Sequence, residues 1–190
     1  MDMEQIKCMV CGMNINEKNF YINNSAFLEK NTGDKIIYCP FCGVSEIYLS
    51  NDGQTYTVDS SLLDENTLKI IDHAVKLEIF NGDFYKKASE MARSNEVKEI
   101  FSALSKIEMF HAKIHFRIGG FNNFPKLTEI DYDKYKYDTD KALLEAAEIR
   151  EKHAVSYYDK YKHEVKDKTV VNIFNALSEV EKEHILLTSK

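Results

Sequence analysis

From about Asp64 onward, apolar residues recur at intervals of three and four: Ile71, Ala74 and Val75; Val97, Ile100, Phe101, Leu104 and Ile107; Leu144, Ala147, Val155 and Tyr158; Val170, Ile173, Phe174, Leu177 and Val180. This is the interval at which one face of an α-helix returns. Four helices are predicted. The first spans about 64–93, and the second starts at a cap supplied by Ser94 or Asn95 and ends near 118, before Gly119-Gly120. The third spans about 138–165 and the fourth about 167–187. Residues 119–138, with Pro125 and a tyrosine-rich polar stretch, form a long connection. Two helical hairpins joined by a long crossover give a mainly α, four-helix bundle. Before residue 60 the pattern changes. Ile36-Ile37-Tyr38 and Tyr56-Thr57-Val58 are short apolar stretches broken by Asn-Thr-Gly-Asp and Asn-Asp-Gly, the pattern of small strands and turns. The chain therefore divides into a compact module over 1–60 and a helical domain over 61–190.

The two hairpins repeat one another. A single offset of 73 residues pairs Ala74 with Ala147, Glu78 with Glu151, Phe84-Tyr85 with Tyr157-Tyr158, and Ile100-Phe101 with Ile173-Phe174. It continues without a gap through Ala103-Leu104-Ser105 and Ala176-Leu177-Ser178, to Glu108 with Glu181 and His111 with His184. Chance similarity between amphipathic helices does not hold one register across two helices and a loop.

The polar residues that interrupt the apolar stripes carry the chemistry. Glu78, Glu108, Glu151 and Glu181 fall at core positions, as do His111 and His184. Burying a carboxylate without a counter-charge costs several kcal/mol or more, and two divalent ions would balance four glutamates while neutral histidines completed their coordination. Glu-x-x-His puts both side chains on one helical face a turn apart, within reach of one ion, and a glutamate from each of two other helices completes the set. Mixed oxygen and imidazole ligation suits iron or manganese. Glu148, three residues before Glu151 on the same face, is a candidate extra or exchanging ligand. His115, one turn beyond His111, reads as an outer or surface residue, and Tyr85 and Tyr158 as core residues whose hydroxyls can bond the ligating carboxylates.

The N-terminal module adds a second centre. Cys8-Met9-Val10-Cys11-Gly12 and Cys39-Pro40-Phe41-Cys42-Gly43 are two Cys-x-x-Cys-Gly knuckles, and four thiolates make a closed tetrahedral site for zinc or a single iron. Zinc would make the module structural; iron would make it an electron port.

Charge narrows the partners. The 190 residues include 25 Lys plus Arg against 31 Asp plus Glu, a formal charge of −6, with no basic surplus to neutralise nucleic-acid phosphates. No apolar run approaches the length needed to span a bilayer, and the acidic start Met1-Asp2-Met3-Glu4 is unlike a signal peptide. A cytoplasmic location is expected, and paired cysteines in that reducing setting read as metal ligands rather than disulfides.

Together these residues resemble the rubrerythrin group of ferritin-like di-iron proteins, in the reverse order, with a rubredoxin-like, zinc-ribbon-sized four-cysteine module ahead of the bundle. The bundle resemblance runs over about 64–188 and rests on Glu78 with Phe84-Tyr85, Glu108-x-x-His111, Glu151 and Glu181-x-x-His184. The module resembles rubredoxin through Lys7-Cys8-x-x-Cys11-Gly12 and Cys39-Pro40-Phe41-Cys42-Gly43-Val44, with 27 residues between the pairs. It departs from rubredoxin in having Met13 and Ile37 where aromatic residues are usual, and in containing no tryptophan. The resemblance implies two irons in the bundle, held and put to catalytic use by Glu78, Glu108, His111, Glu151, Glu181 and His184. It implies reduction of hydrogen peroxide, or dioxygen, to water with electrons passed through the four-cysteine site from an external donor such as a reductase or rubredoxin. It also implies a homodimer, because the two centres of one chain are usually far apart in the family. Many peroxidase-type members carry a further glutamate one turn after the third-helix ligand, where this chain has Ala154. The alternative is a metal-binding or metal-sensing ferritin-like protein with a structural zinc ribbon and no peroxidase activity.

Overall fold

The computed structural model describes residues 6–126 and 137–189. The acidic start at residues 1–4 and the middle of the long connection lie outside the described residues. Four helices dominate: α1 (Glu65–Met91), α2 (Asn95–Ile118), α3 (Asp140–Tyr161) and α4 (Lys168–Thr188). Each begins at a residue whose side chain satisfies a free N–H of the first turn: Asp64 accepts from Thr67, Ser94 from Val97, Thr139 from Ala142 and Asp167 from Val170. α2 ends where Gly120 turns to a φ of 63°, with Gly120 N–H on Arg117 O and Phe121 N–H on Phe116 O, a left-handed helix stop that glycine adopts without strain. α3 stops four residues earlier than its apolar pattern predicts. Glu164 and Val165 both turn back to bond Tyr161 O, closing the last turn tightly so that Val165 is tucked inward.

α1 pairs with α2 and α3 with α4, and the hairpins bury a shared core built from Ile71, Phe101, Leu104, Ile107, Phe174 and Leu177. This is a mainly helical four-helix bundle preceded in the chain by a small four-cysteine module.

In that module three short strands form an antiparallel sheet in the order β2-β1-β3: β1 (Ile6–Cys8), β2 (Asn14–Ile15) and β3 (Leu49–Ser50). The strands expected at 36–38 and 56–58 do not form. Tyr38 makes one isolated bridge to Ser45, and the 56–58 stretch is irregular apart from Tyr56 N–H on Met9 O. The two stretches do not pair with each other: the 36–38 backbone bonds the Asn31 side chain and Glu46 N–H, and Tyr56 bonds the first knuckle at Met9. The module has no core separate from the helices: Cys8, Val10, Cys39, Cys42 and Val44 are continuous with the bundle interior. Gly43 shows how close the contact is. Its φ is 80°, and a Cβ there would lie 2.7 Å from Val180 Cγ1 of α4 and 2.9 Å from Phe27.

Candidate metal centres

The two knuckles have the same backbone pattern. Cys8 N–H bonds Met13 O and Gly12 N–H bonds Cys8 O, as Cys39 N–H bonds Val44 O and Gly43 N–H bonds Cys39 O. Gly12 and Gly43 both sit at φ 80°. The turns converge so that Sγ of Cys8 and Cys42 are 3.6 Å apart, as are those of Cys11 and Cys39, and the four sulfurs form one buried cluster. A disulfide is only about 2.05 Å long, whereas a tetrahedron with metal–sulfur bonds of about 2.3 Å has edges of about 3.8 Å. The spacing fits a metal and not a cystine. Burial pushes the Cys39 and Cys42 thiols up, whereas hydrogen bonds from Cys11 and its neighbours pull Cys8 down. One thiolate is thus held by its protonated neighbours, and a cation would take the place of those protons.

The bundle brings together six residues from four helices in two overlapping groups. Glu78, Glu108, His111 and Glu181 form one, and Glu108, Glu151, Glu181 and His184 the other; in each, the candidate ligand atoms lie within 4.8 Å of one another. All six side chains are fully buried. Glu108 and Glu181 belong to both groups, the arrangement expected of carboxylates shared by two ions, and the 73-residue repeat exchanges one group for the other. His111 Nδ1 is 3.0 Å from Glu181 Oε1 and 3.5 Å from Glu108 Oε2, and His184 Nδ1 is 3.2 Å from Glu181 Oε2 and 3.6 Å from Glu151 Oε1. Glu78 Oε2, both Glu108 oxygens, Glu151 Oε2 and Glu181 Oε1 have no hydrogen-bond partner among the described residues, nor has His111 Nδ1. So many unsatisfied anionic oxygens facing one buried point call for cations, and the donor set fits two of them.

Electrostatics agree. Burial, with the Glu181 charge adding to it, raises Glu78 to about 7 and pushes Glu108 and Glu151 well above the carboxylate range. Glu181 is held low: burial is outweighed by the His111 charge and its hydrogen bonds. Burial alone would lower His111, but the Glu181 carboxylate lifts it to about 9. Groups raised in the folded state contribute stability below their free values and lose it as pH climbs through the folded value. Glu78 does so between 4.5 and about 7, and His111 between 6.5 and about 9. Glu181 has the opposite sign, and its loss is confined to acid. The metal-free protein is therefore expected to melt at progressively lower temperature from pH 6 to pH 9, and the metal-loaded protein to show a much flatter profile. Thermal unfolding followed by circular dichroism checks this, and a flat metal-free profile would contradict it.

Around this cluster the repeat is maintained in one layer and broken in the next. Tyr85 donates from its hydroxyl to Glu151 at 2.6 Å, and Tyr158 donates to Glu78. Tyr158 also pairs with His115 Nε2 at 2.7 Å, and His115 is fully buried and held to about 3 by that burial. Its counterpart, Thr188, bonds its own helix carbonyls instead. Glu148 is not drawn in: it lies half-buried on the outer flank of α3 and pairs with Lys152, because three residues before Glu151 turns its side chain off the inward stripe. Ala154 is buried in the bundle. Two contacts gave no signal in the sequence. Arg117 donates to Cys11 O at 2.8 Å and Val10 O at 2.6 Å, tying α2 to the first knuckle, and His111 Nε2 lies 2.8 Å from Cys42 O. Both depend on how the module seats against α2, which no local pattern records.

Residues 66–186 match the ferritin-like domain. The chain belongs to the ferritin-like family. Comparison with curated proteins and with solved structures gave no match. In this ferritin-like chain the matched segment contains all six clustered Glu and His residues, and the four cysteines lie before it. Among the described residues, no helix is long and apolar enough to cross a membrane.

Proposed function

We propose that this protein is a non-haem di-iron oxidoreductase of rubrerythrin type, reducing hydrogen peroxide, or dioxygen, to water with electrons passed on from iron in the four-cysteine centre. For peroxide, one molecule takes up two electrons and two protons and gives two waters. The observation that carries the reading is the link at His111. Its Nδ1 faces the carboxylate cluster while its Nε2, in the tautomer that protonates it, donates to the carbonyl of Cys42, whose sulfur belongs to the cysteine cluster. One side chain and one peptide carbonyl join the two candidate centres within a single chain. The expectation from the family resemblance that these centres lie far apart in one chain does not describe this protein.

Glu78, Glu108, His111, Glu151, Glu181 and His184 would hold two irons, which would supply the electrons for peroxide reduction. The protein's own contributions follow from its geometry. Glu108 and Glu181 would be shared by both ions, Glu78 with His111 and Glu151 with His184 serving one each. The Cys42 carbonyl fixes the His111 ring so that Nδ1 faces the cluster. Tyr85 and Tyr158 present hydroxyl protons to Glu151 and Glu78, and complete burial keeps bulk water from the ligands. The reading extends to a cytoplasmic location, where four free thiols stay reduced, and to an external reductase or rubredoxin as donor; the link within one chain removes the reason the resemblance gave for a homodimer.

Elemental analysis and the visible spectrum of anaerobically purified protein test it. About three irons per chain, a thiolate absorption band that bleaches on reduction, and recovery of that band on adding peroxide are expected. Zinc at the cysteine centre, with no peroxide consumption, would favour the alternative of a metal-binding protein with a structural module.

A further inference from the structure

Asn81 is an uncharged polar side chain on the inward face of α1, between Glu78 and Tyr85. It is 1% exposed, and its Nδ2 has no hydrogen-bond partner among the described residues. A buried donor left unpaired is costly, and natural structures retain few of them without a reason. The position of this one supplies the reason. Tyr85 reaches Glu151 and Tyr158 reaches Glu78, so α1 and α3 run antiparallel across the cluster, with Asn81 and Gly82 opposite Ala154 and Val155. Tyr157 on Ile70 O and Arg150 stacked over Phe80 and Phe84 hold the same crossing. A Cβ on Gly82 would meet Met109 and Glu108, so that side of α1 faces α2. Asn81, about 100° round the helix, is turned toward α3.

There it faces little that could accept a hydrogen bond. Ala154, its counterpart under the 73-residue repeat, is fully buried and offers only a methyl group. Glu78 and Glu151, which lie on either side of this crossing, each keep an unpaired oxygen, so the polar atoms here belong to the metal cluster itself. The repeat thus preserves the six candidate ligands but breaks at this pair, leaving one unused amide donor on the α1–α3 side.

Resting on the di-metal reading, we propose that Asn81 donates its Nδ2 hydrogen to a small exogenous ligand with an acceptor atom, peroxide in turnover, held at the cluster on the α1–α3 side. Asn81 would then act by orienting that ligand and not by holding metal.

Azide, a small acceptor anion, serves as the probe in the full-length, iron-loaded protein, titrated by its visible absorption. Asn81→Leu, which branches at the same carbon as asparagine but is larger and has no donor, is expected to keep both bundle irons and to weaken azide binding at least tenfold. Asn81→Asp, which keeps the size but replaces the donor with an acceptor, is expected to weaken azide at least as much, and it decides the question if the leucine variant does not fold. Unchanged azide affinity at full iron load would overturn the proposal. So would loss of bundle iron from Asn81→Leu, which would make Asn81 a support for the ligands. If the parent protein itself takes up no iron in the bundle, the di-metal reading fails, a result distinct from the others because it precedes any variant.

Discussion

Glu181→Ala is expected to strip the bundle of metal and to lower peroxide turnover by about 100-fold or more, since even groups that merely support a ligand are worth about 10–100-fold. Glu181 is the carboxylate with the most to lose. It belongs to both candidate groups, approaches both histidines, and its charge is the largest single influence raising His111. Glu78, by contrast, belongs to one group only. Glu78→Ala should therefore retain part of the metal where Glu181→Ala retains none. Elemental analysis beside a peroxide-consumption assay makes the comparison, with helical content by circular dichroism as the control for folding. Full metal content and unchanged turnover in Glu181→Ala would remove the bundle cluster from the mechanism.

The contrast between those two glutamates marks what the sequence could and could not convey. Periodicity located all four helices because each buries one continuous stripe, and the N-caps Asp64, Ser94, Thr139 and Asp167 stand where the stripes begin. The charged interruptions of those stripes named Glu78, Glu108, His111, Glu151, Glu181 and His184, and the repeat tied them into one set. Which two carboxylates are shared depends on how four helices converge, and no single helix encodes that. Glu148 shows the limit in the other direction. A spacing of three residues suggested a common face with Glu151, but rotation about the helix axis puts the side chain at the flank, where Lys152 is its ion-pair partner. In the module, the knuckles were legible because Cys-x-x-Cys-Gly fixes its own backbone. The strands were not, because stretches of two or three residues take their pairing from whatever lies beside them, here Met9 and Ser45. Asn81 gave no signal in the sequence, because its lack of a partner becomes apparent only once α3 is laid against it.

Cys39→Ser separates the two centres more cleanly than any bundle substitution. Cys39 gives the cysteine cluster a sulfur, whereas the carbonyl that meets His111 belongs to Cys42. The substitution therefore removes one of four thiolates while leaving the peptide link to the bundle in place. The bundle metals should remain, and a single turnover starting from chemically reduced protein should proceed within about twofold of the parent rate. Steady-state turnover with an external donor should fall at least about tenfold, because the route by which electrons re-enter has been broken. A serine oxygen is a poorer partner than thiolate for the soft-ligand site, so the thiolate absorption should be lost or shifted in the same sample. The single-turnover measurement reads only the bundle and the steady-state measurement reads the bundle with its supply, so a defect confined to the second assigns the module to electron delivery. Equal rates in both assays would make the four cysteines a structural clamp, and the His111–Cys42 bond would then orient a ligand without carrying electrons.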